Sequence, residues 1–157
     1  MALAGRGRPE KRAKAGGAMY RTETLGLEEA RTAMEAVINK ALAEPARPVA
    51  IAVVDKAGEL ICYARMDGAN RFNQLMAIRK ASTAAQLGVD TKLLRQGLKA
   101  IDMSFTDMGS TELTIVPGGV CVYHSGTKAV LGGIGVSGRP YHEDEDLARS
   151  GADTLAL

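Results

Sequence analysis

The stretch Val49-Ala50-Ile51-Ala52-Val53-Val54-Asp55-Lys56-Ala57-Gly58-Glu59-Leu60-Ile61-Cys62-Tyr63-Ala64-Arg65 decides the fold. Val49 to Asp55 is a short run rich in β-branched residues, the composition of a buried strand. Lys56-Ala57-Gly58 reads as a turn, and Glu59 to Arg65 as the second strand of a hairpin. Leu60, Cys62 and Ala64 lie on one face of that strand; Ile61, Tyr63 and Arg65 lie on the other. Met66-Asp67-Gly68-Ala69 ends it. A hairpin implies an antiparallel pair, and helices must cover the faces of the resulting sheet.

Working outward, Leu27, Ala30, Met34, Ile38, Ala41 and Leu42 recur at helical spacing upstream of the hairpin. Gly26 stands at the N-cap of this helix, Glu28 and Glu29 suit its macrodipole, and Pro45 ends it. Downstream, Asn73 to Leu87 is expected to be a second helix closed by Gly88. Asp90 is placed to cap a short third helix containing Leu94, Leu98 and Ile101. Met103 to Gly109 is irregular, and Thr111 to Val116 is expected to be a further strand. Val120–His124 and Lys128–Val136 form a second hairpin across Ser125-Gly126-Thr127. Residues 141–154 form a last helix with four acids near its start. The expectation is an α/β (α+β) fold with a central antiparallel sheet of about five strands flanked by helices.

The chain has 157 residues, enough for one domain with its own core. With 18 Gly, no Trp and few aromatics, that core must be built from Ala, Val, Ile, Leu and Met. The net charge of +2 is unevenly placed. Arg6, Arg8, Lys11, Arg12 and Lys14 face only Glu10 in the first twenty residues, so the remainder is net acidic. Residues 1–23 therefore read as a disordered basic tail and 24–157 as the domain, with Met19 an alternative start. The acidic remainder argues against a nucleic-acid partner. No apolar run approaches a membrane span or the core of an export signal. Cys62 and Cys121 then read as reduced thiols, which implies a cytoplasmic location.

Several motifs invite a chemical reading. Gly133-Ile134-Gly135-Val136-Ser137-Gly138 matches the dinucleotide fingerprint literally. No second parallel strand follows to carry the ribose-binding acid, so the glycines are expected to serve tight packing and a strand exit. His124 and His142 are the only histidines, and with two cysteines they show no zinc-ligand spacing. Each is a general base, an iron ligand or a plain surface residue. Gly-x-Ser-x-Gly does not occur, so a serine hydrolase is unsupported. Cys121 is a small core residue, a catalytic nucleophile or, being two positions from Tyr123 on one strand face, part of a pocket wall. Met66, Met76, Met103 and Met108 flank the second and third helices as core filling or as an apolar wall for a flat ligand.

Several segments resemble the GlcG/HbpS family, the haem-degrading or DUF336 family. Leu25-Gly26-Leu27-Glu28-Glu29-Ala30 is similar to its opening helix. Val53-Val54-Asp55-Lys56-Ala57-Gly58 with Arg65-Met66-Asp67-Gly68-Ala69 resembles its first hairpin and exit. Lys80-Ala81-Ser82-Thr83-Ala84-Ala85 resembles its Ala-rich helix. Val116-Pro117-Gly118-Gly119-Val120 and Gly133–Gly138 resemble its two Gly-rich signatures, and Glu143–Ala148 its closing acidic helix. The resemblance implies a profilin-like sandwich, homo-oligomers, and a small-molecule ligand. Arg139-Pro140-Tyr141-His142 departs from the family, which usually carries a smaller Gly-rich stretch there.

Two functions follow from it. The resemblance implies a haem- or tetrapyrrole-binding protein. Haem needs apolar walls, an axial ligand and a cation for its propionates. Met66 would be wall, His124 or His142 the iron ligand, and Arg139 or Arg65 the propionate partner. The alternative is a cofactor-free catabolic enzyme, an isomerase, hydratase or lyase acting on a small organic or aromatic-derived acid. Arg139 would then hold a carboxylate, His142 or Glu143 would move a proton, and Cys121, Tyr123 and His124 would line the pocket.

Overall fold

The computed structural model describes residues 19–157, so most of the expected basic tail lies outside the described residues. The hairpin forms as β1 (Ala50–Asp55) and β2 (Leu60–Arg65), preceded by α1 (Leu27–Ala41). There follow α2 (Arg71–Leu87), α3 (Thr91–Ala100), β3 (Gly119–Tyr123), β4 (Val130–Ser137) and α4 (Tyr141–Ala152). The strands make one antiparallel sheet in the order β2-β1-β4-β3. The two hairpins thus join through β1 and β4, and β2 and β3 are the edges.

One face of β1 carries Ala50, Ala52 and Val54 against Ala77, Ala81 and Ala85 of α2. The other face carries Ile51 and Val53, which join Ile134, Val136, Val37 and Leu147 in the core beneath α1 and α4. The two layers meet the sheet differently. Under α2 the strands present Gly119, Gly133 and Gly135, where a Cβ would run into the backbone of Lys80, Ala81 and Ala77 respectively. The sheet therefore touches the helix backbone to backbone, and the dinucleotide-like motif is explained by that contact.

The expected fifth strand is absent among the described residues. Residues 111–116 form no strand, because side-chain hydroxyls take their N–H groups. Leu113 N–H donates to Ser110 Oγ, Thr114 N–H to Thr83 Oγ1, and Val116 N–H to Thr114 Oγ1. Four strands suffice for the sheet. The second helix begins before Asn73, since Asn70 Oδ1 accepts the Asn73 N–H at 2.9 Å and caps it. Gly88 closes that helix in the left-handed conformation, as expected. Asp90 stands at the N-cap of α3 without capping it; its carboxylate accepts the Cys121 N–H and pairs with Arg149 instead. Among the described residues no helix is long and apolar enough to cross a membrane.

Candidate functional site

The structure distributes the singled-out side chains over separate places. Arg65 and Met66 leave the end of β2 and line a groove of about 330 Å3 with Ile38, Leu42, Pro45 and Ile51. The groove exists because α1 ends at Ala41 and the chain turns away at Pro45, uncovering the strand ends. Its walls are apolar, with Arg65 and Asp67 exposed at the rim.

Arg139 lies across the sheet end, and its side chain is 4% exposed. Its Nε donates to Arg47 O at 3.0 Å, and one Nη donates to Ala41 O and Glu44 O at 2.9 and 3.0 Å. The guanidinium closes the C-terminus of α1, whose last carbonyls need donors. It is not free to grip a ligand carboxylate. Glu143 is held by Arg47 at 2.6 Å, and that guanidinium keeps its carboxyl below the ordinary range. His142 is exposed on the first turn of α4, edge-on to Tyr141 and 4.0 Å from Glu143.

His124 braces the β3–β4 turn. Its Nδ1 accepts the N–H groups of Gly126 and Thr127 at 3.0 and 3.2 Å. That places the ring proton on Nε2, the tautomer opposed to metal ligation through Nε2. It faces a small cavity of about 180 Å3 shared with Thr24, Leu25, Leu131 and Leu157. Cys121 is buried, and burial pushes its thiol up to about 11, so it is not a ready thiolate. Burial also pushes Tyr123 up to about 12, and its hydroxyl donates to Gly88 O at 2.6 Å. Cys121 and Tyr123 sit on the β3 edge, away from Arg139 and Glu143. The acid-handling arrangement expected from Arg139, Glu143 and Cys121 is therefore not assembled.

What the fold does assemble is a pair not singled out from the sequence. Lys80 and Asp144, each 2% exposed, face one another at 3.0 Å. Lys80 Nζ also donates to Val136 O at 2.8 Å, and Asp144 accepts the Arg139 N–H at 2.9 Å. Burial drives the Lys80 ammonium down and the Asp144 carboxyl up; their attraction opposes both shifts. The pair joins the Ala-rich helix to the acidic helix at the exit of the Gly-rich strand. The lone Lys in an otherwise Ala-rich helical face was the available signal.

The sequence matches the family model described as "Haem degrading protein HbpS-like" over residues 25–153. No curated protein matches it. Among solved structures, one of HbpS shares 34% identity and a TM-score of 0.79, covering 92% of this chain and 99% of that one. A double mutant of the Streptomyces reticuli HbpS shares 32% identity at the same TM-score, covering 96% and 99%. A PduOC:heme complex shares its fold at 21% identity, with a TM-score of 0.74 over 84% of this chain and 95% of that one. The chain belongs to the HbpS-like (DUF336) family.

Proposed function

We propose that this protein binds haem or a related tetrapyrrole in the groove between α1 and β2. The observation that carries the reading is the meeting of apolar wall, soft donor and cation in that groove. Ile38, Leu42 and Ile51 offer a face to a flat macrocycle, Met66 brings a thioether, and Arg65 stands at the rim. Thioether ligation of haem iron is a known mode, and guanidinium pairs well with propionate. At about 330 Å3 the groove is near the lower end of the ~300–1,000 Å3 usual for ligand sites, so it would cover only part of a tetrapyrrole ring. His142 lines none of the described cavities, and His124 is turned to its own turn. Haem, if bound, would supply the iron; Ile38, Leu42 and Ile51 would hold the ring, Met66 would offer its thioether to the metal, and Arg65 would pair with a propionate.

The family name and the HbpS neighbours support this reading. The unpaired cysteines fit a reducing cytoplasm. The family resemblance supports a homo-oligomer, and the edge strand β2 is available for pairing, whereas Asp90 and Thr91 take the outward N–H groups of β3. Light scattering on the eluting protein gives its mass directly.

A hemin titration followed in the visible spectrum tests the site. A saturable, stoichiometric Soret shift is expected, altered in Met66→Ala and weakened in Arg65→Glu. A shift that Met66→Ala leaves unchanged and His124→Ala or His142→Ala abolishes would move the iron away from this groove. A featureless spectrum would sink haem binding.

A further inference from the structure

A further cavity, of about 300 Å3, lies between the first turns of α2 and α4 at the end of β4. It shares no lining residue with the α1/β2 groove. Lys80 and Ser137 form its floor; Phe72, Met76 and Tyr141 form its walls.

Ser137 is 5% exposed, and its hydroxyl has no hydrogen-bond partner among the described residues. The residue is almost wholly enclosed, so what remains open of it is the hydroxyl facing this cavity, free to donate to whatever occupies it. Two of the three Lys80 protons go to Val136 O and Asp144, leaving one without a partner among the described residues. Both Asp144 oxygens are engaged, one by Lys80 and one by the Arg139 N–H. Its negative charge is therefore compensated before any ligand arrives. Pro140, at the N-cap of α4, provides no side-chain cap. The leading N–H groups of that helix, at Tyr141 and His142, make no backbone bond among the described residues. Arg95 lies 5.7 Å from the centre of the Tyr141 ring and helps fix that wall. The unengaged groups are thus able to donate, and the walls are apolar and aromatic, the setting of an anion-accepting helix start.

We propose that this cavity binds a small carboxylate with a flat apolar body, of the arenecarboxylate class. Its carboxylate meets the Ser137 hydroxyl and the start of α4; its body rests against Phe72 and Tyr141. The site is independent of haem binding.

The test is a titration of the full chain with benzoate, followed by amide 1H–15N NMR, with benzyl alcohol as the neutral probe. Saturable shifts are expected at Ser137, Gly138, Tyr141 and His142, and benzyl alcohol should give much weaker ones. Ser137→Ala should weaken benzoate by about fivefold to tenfold, the loss of one hydrogen bond to a charged group. Its melting temperature should not change, because the hydroxyl bonds nothing in the protein. Phe72→Ala, at an exposed position, should weaken binding as well. Met66→Ala should bind benzoate normally, which separates this site from the groove. Equal affinity of the native protein and Ser137→Ala, equal response to benzyl alcohol, or shifts confined to Arg65 and Met66 would each overturn the proposal.

Discussion

At the scale of single residues, charge burial sets the strongest constraints. Lys80 and Asp144 lie 64 positions apart in sequence, and nothing local in either segment announces the other. The Ala-rich helix was legible, but the destination of its one buried ammonium depends on how two remote segments dock. Removing one partner leaves an unpaired buried charge. Lys80→Met should cost about 3–5 kcal/mol in urea unfolding, and Lys80→Met with Asp144→Leu distinctly less than the two single losses combined. Equal and additive losses would show that the pair is not coupled. Glu143 behaves differently because it sits near solvent. Its folded carboxyl lies below the ordinary 4.5 through the Arg47 hydrogen bond, so it stabilises fully above that value and loses the effect as pH falls through the lower, folded one. Urea midpoints of Glu143→Gln should therefore fall less steeply on the acid side than those of the native chain.

At the scale of elements, the hairpins and helices were readable because periodicity and punctuation agree there. Val49–Val54 is a continuous apolar run followed by a Gly-bearing turn, and Gly88 marks its helix end as φ +62° requires. Thr111–Val116 misled because Thr and Val favour strands, while its hydroxyl neighbours offered the backbone other partners. The meeting of α2 with β3 and β4 decides more than propensity does. Gly135→Ala would drive a Cβ into the Ala77 carbonyl, and a loss of roughly 1–3 kcal/mol or more is expected from that overpacking. Gly97, in the middle of exposed α3, has nothing within 4 Å of its would-be Cβ. Gly97→Ala should stabilise by about 0.5–1 kcal/mol through helix propensity alone. Calorimetry on the two variants reads opposite signs from one substitution chemistry.

At the scale of the whole molecule, the strand order was the least legible feature. Two hairpins were predicted, but nothing in either says that β1 lies beside β4. Burial sets β2 apart as the half-exposed edge, while β1, β4 and the edge strand β3 are all buried almost throughout, β3 because α3 covers its edge. Native-state hydrogen exchange should accordingly be slowest in Ala52, Val53 and Ile134 and faster along β2, whose outer edge is unpaired. Uniform protection across all four strands would contradict that ranking. The candidate site divides in the same way. Arg65 and Met66 share a groove because they adjoin the hairpin that sets them, whereas Arg139, Glu143 and His124 make bonds within the fold.

The small cavity at His124 has a wider meaning. Thr24 and Leu25 at one end of the domain and Leu157 at the other both line it, and the Leu157 carbonyl accepts the Ser125 N–H. Residues 24–157 are in effect a nearly closed loop. A short linker from Leu157 back to the neighbourhood of Thr24, with the chain cut instead at the exposed Thr106–Gly109 turn, would yield a circular permutant in which every strand keeps its neighbour. The architecture is thus defined by which segments adjoin, and the order in which the ribosome emits them is incidental.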